Sequence, residues 1–205
     1  MKVLLVNGSP HEKGCTYTAL REVADELERN GVETQIIHVG VKPVAGCIAC
    51  GNCRKTGHCF QNDAVNEVLD IADECDGFVF GSPVYYAGPS GQIMSFMDRL
   101  FFAGSAKLKC KPAAAVVSCR RGGASAAFEP INKYMGMTNM PIVTSQYWNQ
   151  VHGNTPDEVR QDLEGMQTMR TLAKNMAWLM KLVENGKGTV KEPKAQNKVL
   201  THFIR

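Results

Sequence analysis

Short apolar runs alternate along this chain with longer stretches of helical period. Val3-Leu4-Leu5-Val6, the segment 32–39 around Ile36-Ile37, Gly77-Phe78-Val79-Phe80-Gly81, the alanine- and valine-rich segment 112–119, and the segment 140–145 each read as a buried strand. Between them apolar residues recur three and four apart. Leu20, Val23, Ala24 and Leu27 form one helix face, and Ala64, Val65, Val68, Leu69 and Ala72 another that ends near Cys75. A third face carries Ile93, Met94, Phe96, Met97, Leu100 and Phe101, and a fourth helix runs to about Met137. Gly31 after Asn30 caps the first helix, and Thr155-Pro156 followed by Asp157 and Glu158 opens the last, which extends to about Glu184. Five strands alternating with five helices predict an α/β fold. It is a doubly wound five-stranded parallel sheet, order 2-1-3-4-5, with helices on both faces. That order gathers the loops after strands one, three and four at the carboxyl edge, beside the switch point where ligands bind.

The 205 residues suffice for one such domain, expected over residues 1–185, and no repeat or second domain is visible. Residues 186–205 form a tail. Its Leu200, Phe203 and Ile204 alternate with polar residues and are expected to pack on the body or on a neighbouring subunit. Hydrophobic residues make up 44% and charged residues 21%, which suits a globule. A net charge of +3 argues for neither nucleic acid nor an anionic membrane as partner. No apolar run reaches membrane-spanning length and no signal peptide precedes the first strand, so a cytoplasmic protein is expected. Eight cysteines is a high count where structural disulfides are rare.

The three edge loops carry consistent chemistry. The first, Asn7-Gly8-Ser9-Pro10 through His11 and Gly14 to Cys15-Thr16, leads from strand to helix. Free N–H groups and the helix dipole favour an anion there, and Ser9, Thr16 and Thr18 add hydroxyl donors. The spacing matches neither the dinucleotide fingerprint nor the Walker loop, and a longer hydroxyl-bearing loop suits a terminal monophosphate. In the second, Ser82-Pro83-Val84-Tyr85-Tyr86, two tyrosines can cover a flat ring. In the third, Ser118-Cys119-Arg120-Arg121-Gly122-Gly123, the glycines let backbone amides approach a planar edge. Phosphate at one loop and a flat heterocycle between the other two describe a flavin mononucleotide (FMN) site.

These residues also resemble a family. Gly8-Ser9-Pro10 with Gly14-Cys15-Thr16 is similar to its G-S-P-R-x-x-G-N-T loop. Ser82-Pro83-Val84-Tyr85-Tyr86, Ser90-Gly91 and Phe96-Met97-Asp98-Arg99 are similar to its S-P-x-Y…S…F-x-D-R block. This is the NADPH-dependent FMN reductase branch of the flavodoxin-like fold, and the cysteine cluster is similar to that of iron–sulfur flavoproteins. The likeness covers roughly residues 1 to 145. His11 stands where the pattern has arginine and Cys15 where it has asparagine. The resemblance implies an FMN-dependent oxidoreductase using NAD(P)H, in a homodimer or homotetramer. Its site residues are Ser9, His11, Gly14, Cys15, Thr16, Pro83, Val84, Tyr85, Tyr86, Ser118, Arg120, Gly122 and Gly123. The flavin itself carries the chemistry. Leu172, Trp178, Leu179 and Leu182 are expected on a second face of the last helix, available to another subunit. Val159, Leu163, Met166, Ala173, Met176, Met180 and Val183 are expected against the sheet.

A cysteine-rich loop at 43–63 carries Cys47, Cys50, Cys53 and Cys59, spaced by two, two and five residues. So long a loop inside a domain is usually functional. Compact runs of this kind bind [4Fe–4S] clusters, although the ferredoxin run has proline after its fourth cysteine where Phe60 follows here. Zinc, a cycling disulfide and a metal-free folded loop remain alternatives, and zinc pairs are usually farther apart. The resemblance implies one [4Fe–4S] cluster near the flavin. Two rival functions stand beside the reductase. One is a ferredoxin-linked electron carrier without NAD(P)H turnover, the other a metal-binding regulatory or scaffold protein with a vestigial flavin site.

Overall fold

The computed structural model describes residues 1–191 together with Pro193, Lys194, Gln196, Asn197, Val199 and Thr201. Strand β1 (Lys2–Asn7) leads into helix α1 (Cys15–Arg29), and strand β2 (Glu33–His38) follows. The cysteine loop comes next and contains one short helix, α2 (Cys53–Thr56). Helix α3 (Ala64–Ile71) continues into a 3₁₀ turn (Ala72–Glu74) and strand β3 (Gly77–Tyr85). A two-residue strand β4 (Gly88–Pro89), helix α4 (Gly91–Leu108), strand β5 (Ala113–Cys119) and helix α5 (Ala124–Met137) complete the central part. Strand β6 (Gln150–His152) and helices α6 (Pro156–Gln161) and α7 (Leu163–Gly186) end the fold.

The five parallel strands run in the order β2-β1-β3-β5-β6, with β4 folding back antiparallel on β3. In order along the chain these five are the predicted 2-1-3-4-5 arrangement. Apolar side chains of β1, β3 and β5 point alternately to two cores, as the period of two requires. Leu4, Val6, Phe78, Phe80, Ala115 and Val117 pack with α3, α4 and α5. Val3, Leu5, Val79, Ala114 and Val116 pack with α1 and α7 on the other face.

Four features depart from the sequence reading. β3 does not end at Gly81. Phe78 to Pro83 stay in register with Ala113 to Ser118, and Val84-Tyr85 then fold back on Gly88-Pro89. The expected fifth strand at 140–145 is reduced to a single bridge between Ile142 and Ala113, with Val143 N–H donating to Ala113 at 2.8 Å. The backbone leaves the sheet there and returns at Asn149, whose carbonyl accepts from Val117 at 3.0 Å, so pairing resumes as β6. The last helix is broken at Asp162. Its carboxylate accepts from Gly165 N–H at 2.9 Å, capping α7, and from His152 N–H at 2.7 Å, tying the break to β6.

The fourth departure concerns the faces of that helix. Met166, Met169, Leu172, Met176 and Met180 are buried, so Leu172 belongs to the core. Leu163, first residue of α7, and Val183 near its end are exposed instead of packed. Trp178 and Leu182 do form an exposed second face. The expected docking of Leu200, Phe203 and Ile204 concerns residues outside those described. No helix among the described residues is long and apolar enough to cross a membrane.

Candidate functional site

The carboxyl ends of β1, β3 and β5 bring the three predicted loops together. Gly8 N–H donates to Gly81 at 2.9 Å, which joins the first and second edge loops at their roots. Ser90, at the N-cap of α4, donates its hydroxyl to Gly8 at 2.8 Å and its N–H to the Ser82 hydroxyl at 2.9 Å. A Cβ on Gly8 would sit 2.6 Å from that of Ile93, so only glycine lets the first loop lie so close to α4.

Loop one wraps around its own side chains. Asn7 Oδ1 accepts from Ser9 N–H at 3.1 Å, and the Ser9 hydroxyl accepts from His11 N–H at 3.1 Å. That leaves the buried Ser9 proton free to donate. Gly14 is the N-cap of α1 and offers no side-chain cap, and the first turn holds no acidic residue. The first bond into the helix is Thr18 N–H to Gly14 at 3.0 Å, so the earlier N–H groups of the turn keep their donors. His11 is exposed beside them. Thr16 is buried, and its hydroxyl lies 2.8 Å from that of Ser118 on β5. If Ser118 is the donor, the Thr16 proton is also free. Cys15 donates to Gly153 at 3.6 Å, and burial pushes its thiol up.

The second and third edge loops touch through glycine. Tyr86 and Ala87 form the hairpin tip with φ of 50° and 61°, a left-handed turn without glycine at either position. Gly123 adopts φ 87°, and a Cβ there would lie 2.9 Å from the Ala87 backbone and 3.1 Å from Val84. Gly122 faces open space and Arg120 is exposed. Pro83 and Val84 are half-buried, Tyr85 is 46% exposed and Tyr86 is fully exposed. The strained tip thus presents Tyr86 outward while Val84 supports the glycine turn. All thirteen residues therefore lie on the three loops of one sheet edge, with Thr16 and Ser118 forming its floor.

Beside this edge runs the cysteine loop. His38 Nε2 lies 2.6 Å from the Ser9 carbonyl, and a Cβ on Gly40 would sit 1.9 Å from the same oxygen. Gln92 of α4 donates to Gly40 at 3.3 Å and Lys42 at 2.6 Å, and accepts from Val44 N–H at 3.2 Å. Farther on, Cys47, Cys50, Cys53 and Cys59 all line one small pocket of about 20 Å³ with Arg99, Phe60 and Phe102. All four are free thiols, and Cys47 and Cys50 are exposed. Ala49 N–H donates to Cys47 Sγ at 3.4 Å, with Ala49 and Gly51 turning the chain through positive φ. No three acids, histidines or cysteines among the described residues converge closely enough to hold a single ion.

In the sequence Arg99 stands out only as the last residue of the Phe96-Met97-Asp98-Arg99 motif. It is among the largest fully buried side chains, paired with Asp63 at 2.6 Å. A charged residue in the middle of an apolar helix face was the available signal, because such a charge is buried only when paired.

The NADPH-dependent FMN reductase family model matches residues 1–155. An iron-sulfur flavoprotein of Methanocaldococcus jannaschii is 33% identical over 192 residues, covering 90% of this chain and all of the relative. An iron-sulfur flavoprotein of Methanosarcina thermophila is 27% identical over 191 residues, 91% of this chain and 99% of the relative. Among solved structures, RosB with bound 8-demethyl-8-formylriboflavin-5'-phosphate superposes with a TM-score of 0.71 at 13% identity, over the whole chain and 94% of RosB. An archaeal flavodoxin superposes with a TM-score of 0.59 at 18% identity over 88% of this chain and 99% of its own, so the fold is flavodoxin-like.

Proposed function

From the premise that this chain belongs to the NADPH-dependent FMN reductase family and is an FMN-dependent oxidoreductase, we propose how its residues divide the work. FMN, when bound, supplies hydride or single-electron chemistry at its ring, and the protein supplies position and electrostatics. The N–H groups of the first turn of α1 and the Ser9 hydroxyl hold the phosphate, where the helix dipole favours negative charge. His11 and Arg120 add charge or hydrogen bonds at the rim. Pro83, Val84 and Tyr85 wall one side of the ring, and the Gly122-Gly123 turn brings backbone to its polar edge. Tyr86 reaches beyond the hairpin toward substrate or a second subunit. The observation that carries this reading is the cradle itself: free helix N–H groups on one loop, and two touching loops whose contact leaves no room for a Cβ at Gly123.

The donor set of the cysteine loop fits an iron–sulfur group. Four thiols share one pocket, and a cubane offers one iron to each of four thiolate ligands. Cys47, Cys50, Cys53 and Cys59 would hold a [4Fe–4S] cluster, which would supply one-electron exchange beside the flavin. NAD(P)H as co-substrate, an electron donor or acceptor that is a small molecule or protein, and a cytoplasmic setting complete the proposal. The exposed Trp178 and Leu182 on α7 suit a homodimer or homotetramer.

The test is anaerobic purification followed by an absorption spectrum, iron and acid-labile sulfide analysis, and an NAD(P)H oxidation assay. Bound FMN, four irons per chain and NAD(P)H oxidation are expected. Flavin and iron without NAD(P)H oxidation would make the protein an electron carrier, the reading favoured by the exposure of Cys47 and Cys50. Zinc with no flavin would overturn both.

A further inference from the structure

We propose that Arg99 is the positioning residue of the four-cysteine site, holding the loop in place before any metal arrives and donating directly to the sulfur of Cys59. The inference rests on the reading of that loop as a cluster site. A guanidinium has five N–H donors in a fixed fork. Arg99 directs all of them at the cysteine loop. Nε donates to Cys59 Sγ at 3.2 Å. Nη1 donates to Asp63 Oδ2 at 2.6 Å and to the Ala45 carbonyl at 3.3 Å. Nη2 donates to the Gln61 carbonyl at 2.9 Å and to Asp63 Oδ1 at 3.0 Å. One side chain therefore grips the loop near its start, at Ala45, and near its end, at Cys59, Gln61 and Asp63.

The grip is anchored on both sides. Asp63 is the N-cap of α3, its carboxylate accepting from Val65 N–H at 3.1 Å, so it is fixed to the body. Cys59 is held by its backbone too: its N–H donates to Asn66 Oδ1 at 2.9 Å and its carbonyl accepts from Asn66 Nδ2 at 2.9 Å. Arg99 itself sits two and a half turns into α4, whose N-cap Ser90 bonds the phosphate loop. One rigid helix thus joins the flavin edge to the cysteine pocket. The N–H donor and positive charge beside one thiolate ligand are the kind of outer contacts that orient a metal ligand and raise a cluster's reduction potential. Lysine cannot replace this arrangement, because it keeps the charge but lacks the fork and the Nε donor.

The experiment compares wild type, Arg99→Lys and Asp63→Asn. Asparagine caps a helix as well as aspartate, so Asp63→Asn breaks the ion pair while keeping α3, and it serves if Arg99→Lys does not fold. Each protein is reconstituted anaerobically with iron and sulfide, and iron content and cluster midpoint potential are measured. In parallel, hydrogen exchange is followed on the metal-free proteins. Arg99→Lys is expected to retain less than half of the wild-type iron, and the cluster that does form to have a more negative potential. Both variants should lose amide protection across 45–63 while the amides of α4 stay protected. Equal iron content and an unchanged potential in Arg99→Lys would overturn the proposal. If wild type itself takes up no iron, the cluster reading fails, and hydrogen exchange decides the rest. Loss of protection confined to 45–63 supports Arg99 as organiser of the loop, and unchanged protection refutes it.

Discussion

At the carboxyl edge of the sheet, each loop leaves a strand whose register already fixes where it begins. The backbone does most of the holding: Gly8 to Gly81, Gly8 and Gly123 packed against neighbours, and a helix end with open N–H groups. The cysteine loop has no such frame. It leaves β2, crosses the start of α4 and reaches α3 with only the one-turn helix α2 between, and most of its anchors are side chains: Gln92, Asn66, Asp63 and above all Arg99. Backbone contacts between strands tolerate many side-chain changes, whereas a loop gripped by one buried arginine depends on that side chain and on its partner. Removing the partly exposed Asp63 leaves the buried Arg99 charge uncompensated, which is destabilising. The flavin edge should therefore be broken by adding atoms, and the cysteine loop by removing them.

The largest effect is expected where the two regions meet. Gly40→Ala places a Cβ 1.9 Å from the Ser9 carbonyl and 2.9 Å from Pro10 N, both rigid backbone. The root of the cysteine loop and the phosphate loop must separate, at a cost of about 3 kcal/mol, the upper end of overpacking. Thermal melting should fall and FMN affinity with it; a variant with wild-type melting and affinity would show that the two loops move independently. Next comes Thr16→Val, which removes the partner of the buried Ser118 hydroxyl. An FMN titration should show a loss of about 1.5–3 kcal/mol if the Thr16 proton serves the phosphate. Lower melting with unchanged affinity would instead confine the hydroxyl to Ser118. The smallest change is stabilising. Ala87 holds φ 61° at the hairpin tip. Ala87→Gly relieves that left-handed strain and should raise stability by about 1 kcal/mol or less in denaturant unfolding. Any decrease would mean that the Ala87 methyl packs more than the backbone strains.

Much of this arrangement was legible before the structure. Unbroken apolar runs gave β1, β3 and β5, because strands buried on both faces carry no polar alternation to confuse them. Glycine and hydroxyl residues marked the edge loops. β6 was missed because Gln150-Val151-His152 offers a single buried apolar residue, Val151, while the more apolar segment before it peels away after Ile142. The break at Asp162 was hidden because buried apolar side chains resume at Met166, seven residues after Val159, as though the helix were continuous. The close spacing of the four cysteines was plain in the sequence, and the structure places all four on one pocket. Arg99 and Asp63, 36 residues apart, carry no periodic signal that pairs them. Only the packing of α4 against α3 makes the ion pair visible.

The interrupted outer strand has a consequence for how these molecules coexist at high concentration. A long exposed edge strand offers a ladder of unpaired amides on which another chain can add. Among the described residues that side of the sheet presents three ladder residues, Gln150 to His152, beyond a single bridge at Ile142. The intervening segment carries the exposed Tyr147 and Trp148 in place of strand. So short a ladder offers few amides to an incoming chain, which disfavours self-association through strand addition on this side.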